Sequence, residues 1–310
     1  MPFPPTHRTS AYNAFRLFIF LLILGFVWYS EACNEQTDEK PIGTDVHLQS
    51  VPFAVPTELA PQKTDTRRVD VNKDGYEDAI VLAYPKDSLS ARIGFETLRI
   101  YEYDTTKKQF RQAFQGKYYY GTTIDVRDID RNGTNELCIR TDGGGNSATA
   151  SIGMTVLGKS AGKYSTLAAF DFGNPDLITL AGDSTVALLG NDEYFPEYLP
   201  PSETVIVPDS LVVFAQTPER ASMLRTEYFT DAATKARGRY AQAKATVSGN
   251  RSAPALFAAY SGAVVTMRLL AKLPDAKPLQ EFILQERPFW RAMLPKRFHD
   301  ALDDVFRPHP

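Results

Sequence analysis

From about Val51 to Phe214 the chain alternates short apolar runs with polar turns. The runs AIVLAY, TLRIYEY, QFRQAF, ELCIRT, IGMTVLG, KYSTLAAF and TVIV are rich in Ile, Val, Tyr and Phe, and Gly, Asp, Asn and Lys separate them. That rhythm predicts strands joined by turns. From Thr217 the period changes. Thr217-Pro218-Glu219 reads as an N-cap with proline in the first helical turn, and ERASMLRTEYFTDAATKARGRYAQAKA reads as helix with Gly238 as an interruption. Ser252 is a candidate cap for APALFAAYSGAVVTMRLLAKL, in which Leu256, Tyr260, Val264, Met267 and Leu270 recur at helical spacing. Arg268 and Lys272 argue against a membrane span there. Shorter helices are expected over LQEFILQE and RFHDALDDVF, punctuated by Pro274, Pro278, Pro288 and Pro295. The expected fold class is therefore mainly β followed by α: a β-rich domain over residues 51–216 and a helical C-terminal region over 217–310.

The first residues follow a different logic. His7, Arg8 and Arg16 precede LFIFLLILGFVWY, a run of 13 apolar residues from Leu17 to Tyr29. That run is short for a bilayer span and suits the apolar region of a signal peptide. Ser30 and Ala32 supply the small residues a signal peptidase needs, which makes 1–32 a candidate signal peptide. Cys33 follows at once and resembles the lipidation acceptor of a bacterial lipoprotein. Ser30 and Glu31 depart from the lipoprotein pattern, so plain secretion and an uncleaved anchor stay open beside it. Residues 33–50 are polar and aperiodic, as a tether would be.

Two stretches inside the β-rich region carry the strongest chemistry. DVNKDGYED, Asp70 to Asp78, is echoed 58 residues later by DIDRNGTNE, Asp128 to Glu136. Each places oxygen-bearing side chains at positions 1, 3, 5 and 9 and glycine at position 6. The candidate ligands are Asp70, Asn72, Asp74, the carbonyl of Tyr76 and Asp78 in the first, and Asp128, Asp130, Asn132, the carbonyl of Thr134 and Glu136 in the second. All are hard oxygen donors, which favours calcium. Gly75 and Gly133 stand where the chain must turn sharply. An EF-hand is excluded, because position 12 is Val81 or Ile139 and strand formers, not helices, follow. A matching strand–turn–strand layout after each loop extends the echo into a repeat of roughly 58 residues. At that spacing a third, degenerate unit would begin near Val186.

The loops resemble the FG-GAP (or VCBS) repeat, in which D-x-[DN]-x-[DN]-G-x-x-[DE] runs directly into an apolar strand. The resemblance covers roughly residues 65–172. It implies four-stranded, propeller-type blades and structural calcium. Two clear units cannot close a full ring, so the expectation is a partial propeller or stacked sheets.

Composition narrows the function. Apolar residues make up 43 % and charged residues 23 % of the 310, and the formal net charge is −3. These are values of an ordinary globular protein with no electrostatic footprint for nucleic acid. Cys138, in the apolar run LCIRT, reads as a buried inert thiol. With Cys33 lipidated it has no disulfide partner. The glycine-rich RTDGGGNSATAS lacks the ending of a phosphate loop, Ser147 has no nucleophile frame, and the four histidines are scattered. Ser160 to Lys163 matches S-x-x-K by letter only and reads as an inter-strand turn. Tyr118–Tyr120, and Tyr194 with Phe195 and Tyr198, are candidate sugar platforms.

The expected function is that of an exported, calcium-binding, non-catalytic binding or scaffolding protein of the bacterial cell envelope. Calcium is the expected cofactor, an envelope protein or a glycan the candidate partner, and a lipid anchor the membrane contact. The alternatives are a metal-assisted hydrolase working near the Gly143–Gly145 loop and a glycan-binding module.

Overall fold

The computed structural model describes residues 48–59, 62–86, 94–144, 151–180, 182, 184–194 and 203–305. The expected signal peptide, Cys33 and the expected tether as far as His47 lie outside them, as do Gly145, Ser147, Phe195 and Tyr198. Among the described residues a short 3-10 turn, Thr57–Leu59, and ten antiparallel strands precede four α-helices, so the chain is mainly β followed by a helical C-terminal region.

Strands β1 (Thr64–Val69), β2 (Asp78–Ala83), β3 (Phe95–Asp104), β4 (Gln109–Arg127), β5 (Glu136–Asp142), β6 (Ile152–Ser160) and β7 (Lys163–Phe170) form one seven-stranded meander. Strands β8 (Asp176–Thr179), β9 (Val186–Tyr194) and β10 (Val205–Val213) form a second sheet, with β9 in the middle. The seven-stranded sheet is two four-stranded layers sharing β4. The first half of β4 pairs with β3 and its last residues, Gly121 to Arg127, pair with β5. The change of layer happens at Tyr120, whose φ of 59° puts a bulky residue in the left-handed region. Close contacts fix the bend. A Cβ on Gly121 would lie 2.3 Å from the Phe95 ring, and one on Gly94 would lie 2.4 Å from the Gly121 carbonyl oxygen.

Side-chain alternation sends each strand's two faces into two different cores. From β2, Ile80 and Leu82 share a cluster with Leu137 and Ile139 of β5, whereas Ala79, Val81 and Ala83 face Phe53 and Leu59 of the N-terminal segment. From β5, Cys138 turns the other way and joins Leu188 of β9. Ala187 of β9 in turn packs in the helical core. The order through the molecule is thus N-terminal cover, first layer, second layer, three-stranded sheet, helices. Buried Cys138 has its thiol pushed up to about 11 by burial, in keeping with an inert role.

Helix α1 (Pro218–Gly249) starts where the sequence indicates, with the Thr217 hydroxyl accepting from Arg220 N at 3.2 Å. It does not break at Gly238. Leu224, Phe229, Ala233, Ala236, Tyr240 and Val247 bury one stripe on both sides of that glycine, and such packing outweighs a local cost of about 1 kcal/mol. Helix α2 (Ala253–Leu270) has Ser252 at its N-cap, but the side chain makes no capping bond. Pro254 leaves the second position without an N–H to offer it. By length and composition α2 is apolar enough to cross a membrane, with half of that window buried. Tyr260 of α2 stacks on Phe298 at 4.6 Å.

Helix α3 (Lys277–Met293) runs through Pro288, contrary to the expected punctuation. The carbonyl that Pro288 leaves unbonded belongs to Leu284, which is 73 % exposed and can be hydrated. A buried chain of polar groups ties α3 to α1: Trp290 Nε1 donates to Tyr240 Oη at 3.0 Å, and that hydroxyl and Lys244 Nζ both donate to Glu286 Oε2. Helix α4 (Lys296–Asp304) closes the core with Phe298, Ala301 and Leu302.

Candidate metal centre

The first acidic loop joins β1 to β2 and the second joins β4 to β5, so each opens one of the two layers. Their backbones are held alike. Gly75 N donates to Asp70 Oδ2 at 2.9 Å, and Gly133 N to Asp128 Oδ2 at 3.1 Å. Asp74 N and Asn132 N donate to the side chains two residues earlier, Asn72 and Asp130. Tyr76 N and Thr134 N bond Asp74 and Asn132 in the same manner. Across each turn, Val71 N reaches Asp78 Oδ2 at 3.0 Å and Ile129 N reaches Glu136 Oε2 at 2.8 Å. Lys73 and Arg131 have φ of 55° and 60°, Gly75 and Gly133 of 90° and 87°. Nearly every bond of the first loop has its counterpart 58 residues on.

The carboxylates differ in what is left over. In the first loop Asp70 and Asp78 each accept through both oxygens, Asp70 from Asp74 N and Gly75 N, Asp78 from Val71 N and Tyr103 N. In the second loop Asp128 Oδ1 and Glu136 Oε1 are buried with no hydrogen-bond partner. Ligand atoms of Asp128, Asp130 and Glu136 all lie within 4.8 Å of one another, and this is the one acidic trio that converges so among the described residues. Buried acceptors left unpaired are costly unless something electropositive meets them. The donor set, three carboxylates with no nitrogen or sulfur, suits a hard cation. Asn72, Asp74 and Asn132 brace their loops by accepting backbone N–H groups from Asp74, Tyr76 and Thr134.

Burial shapes the acid–base behaviour. The Asp78 carboxyl is pushed from an ordinary 3.8 up to about 7, chiefly by burial, with the charges of Glu102 and Asp74 adding and the Val71 and Tyr103 N–H groups opposing. Glu136 is also raised, first by burial and then by Asp130 and Asp128. The folded state therefore holds the Asp78 proton more tightly than the unfolded chain does. Its contribution favours folding at acid pH and is lost as pH rises through about 7. In EDTA, Asp78→Asn should flatten the stability profile between pH 5 and about 7 relative to the parent protein, as read by urea unfolding. Identical profiles would contradict that role.

Three residues tie the loops together or to the chain before them, and the loop pattern signals none of these contacts. Gln49 makes a parallel bridge to Tyr76, with Gln49 N on Gly75 O at 2.9 Å and Glu77 N on Gln49 O at 3.1 Å. Asn135 joins the two loops, its N–H on Val71 O and its Nδ2 on Asp70 O, both at 2.9 Å. Lys73 Nζ bonds Asp128 Oδ2 at 2.9 Å. Nothing in one loop's spacing signals a partner 55 residues away. Where the sequence suggested a third unit near Val186, β9 begins, and just before it Leu180 N bonds Thr185 O at 3.0 Å.

The remaining candidates separate. Tyr118, Tyr119 and Tyr120 meet Gly143, Ser151 and Asp171 around a cleft of about 670 Å³. Tyr119 is 75 % exposed. Tyr194 is instead a core residue, donating its hydroxyl to Ala301 O at 2.6 Å. Ser160 and Lys163 pair across the β6–β7 turn. No known protein family, curated protein or solved structure matches this chain.

Proposed function

We propose that the chain is an exported calcium-binding protein of the bacterial cell envelope, a non-catalytic binding or scaffolding module. Asp128, Asp130 and Glu136 would be its main calcium ligands. One observation carries the reading: two buried carboxylate oxygens without partners belong to the one convergent acidic trio among the described residues. Support for FG-GAP-type blades comes from two four-stranded layers, each opened by the same nine-residue loop. Support for export, and for an anchor at Cys33, comes from the apolar run and the residues after it. Calorimetric titration of the full chain with calcium tests the proposal. At least one equivalent should bind, and Asp128→Asn should weaken it by more than tenfold; absence of binding to the parent protein overturns it.

A glycan-binding role is the second reading, favoured by the cleft beside Tyr118–Tyr120. Exposed Tyr119 offers a ring for stacking, and the hydroxyls of Thr141 and Ser151 line the same space. A glycan array probed with the parent protein and with Tyr119→Ala tests it. Sugar retention lost in the variant supports the reading, and no retention by the parent removes it.

A further inference from the structure

Lys73 occupies position 4 of the first loop, where the cation pattern asks for nothing. Its side chain leaves that loop and crosses to the second, where Nζ donates to Asp128 Oδ2 at 2.9 Å. Arg131, at position 4 of the second loop, also reaches forward, its Nη2 donating to Ser184 O at 3.1 Å. Both basic residues thus span to the next layer, but only Lys73 meets a carboxylate of the trio.

The two oxygens of Asp128 divide the work. Oδ2 accepts from Lys73 and from Gly133 N, while Oδ1 stays buried and unpartnered, as does Glu136 Oε1. A cation taken up through Oδ1 would leave the lysine pair standing. Three carboxylates, one lysine and one divalent ion are together neutral, so the ammonium balances the charge that calcium alone leaves over. Without metal, the same ammonium relieves the repulsion among carboxylates held within 4.8 Å.

We propose that Lys73 is a built-in counter-charge that sets the calcium affinity of the second-loop site, an inference that rests on the calcium reading above. An ammonium roughly 6 Å from a divalent ion repels it, and even under the full screening of bulk water this amounts to about a tenfold change in affinity. The lysine keeps the site weaker than its three carboxylates would be unaided. It also makes filling of the second loop felt in the first.

Calorimetric titration of the full chain with calcium chloride, comparing the parent protein, Lys73→Met and Lys73→Arg, tests this. Lys73 is 42 % exposed, so neither change disturbs a core. Lys73→Met should bind calcium about tenfold more tightly, Lys73→Arg should stay within about twofold of the parent, and the gap should narrow in 0.5 M salt as screening rises. Binding by Lys73→Met without binding by the parent overturns the calcium reading and this inference with it. Equal or weaker binding by Lys73→Met, with the parent still binding, overturns the counter-charge role and leaves the calcium reading intact. No binding by any of the three proteins overturns both.

Discussion

Calcium at about a hundred times its dissociation constant should raise the melting temperature by roughly 5–10 °C, and Glu136→Gln should abolish that rise. The size follows from mass action: such a concentration adds about 2.7 kcal/mol to the folded state, and a domain of this size gains about 2–4 °C per kcal/mol. The variant discriminates because its two effects have opposite signs. In EDTA at pH 7.5, the substituted amide would carry no charge into a site where Glu136 is fully buried beside Asp128 and Asp130, so the metal-free variant should melt at or above the parent temperature. In calcium it should melt below the parent. Differential scanning fluorimetry in both buffers reads the crossing. Equal destabilisation in the two would make Glu136 a framework residue only.

The second large effect belongs to Glu102 of β3. It is 3 % exposed and accepts from Lys159 and Tyr164 of the second layer, Tyr164 Oη at 2.9 Å, and from Arg111 opposite it on β4. Burial, then the Glu102 charge and the bond to it, push the Tyr164 hydroxyl well above the usual tyrosine range. Glu102→Ala strands Lys159, itself only 14 % exposed, without its counter-ion. Breaking one half of a buried pair costs about 3–5 kcal/mol, or roughly 10 °C in melting temperature. Replacing both partners together, Glu102→Leu with Lys159→Met, should recover most of that loss, because an apolar pair of similar volume carries no desolvation penalty. Urea unfolding of the three proteins gives the comparison. A loss below about 1 kcal/mol for Glu102→Ala would mean that water or Arg111 already screens the pair.

Much of the β region could be read from the sequence because its physics is local. Alternating apolar runs marked β2, β3, β5, β6 and β7, and acidic turns with glycine at position 6 marked where two layers open. Thr217 followed by proline fixed the start of α1. What stayed hidden depends on tertiary packing. TDTRRV of β1 has one strongly apolar residue, and it becomes a strand through its pairing with β2. The 19 residues of β4 look like one strand and a polar continuation, and only the bend at Tyr120 makes them serve two layers. Gly238 and Pro288 look like breaks, yet buried stripes on either side carry α1 and α3 through them. The same holds for the candidate site. Its acidic residue types and their spacing were legible, but the inequality between the loops was not. It arises because Asp78 meets Tyr103 N of a neighbouring strand while Glu136 Oε1 has no such donor.

The bridge at Gln49 has a mechanical consequence. Among the described residues the chain opens at Leu48, and Gln49 ties it to the first loop through two hydrogen bonds, one on the carbonyl of Gly75 and one from the N–H of Glu77. A pull applied at Leu48 is therefore delivered to the first acidic loop before it reaches any apolar core. Two bonds yield at low force, so this contact would act as a fuse. It can open and reseal while Phe53 and Leu59 still hold the cover of the first layer in place.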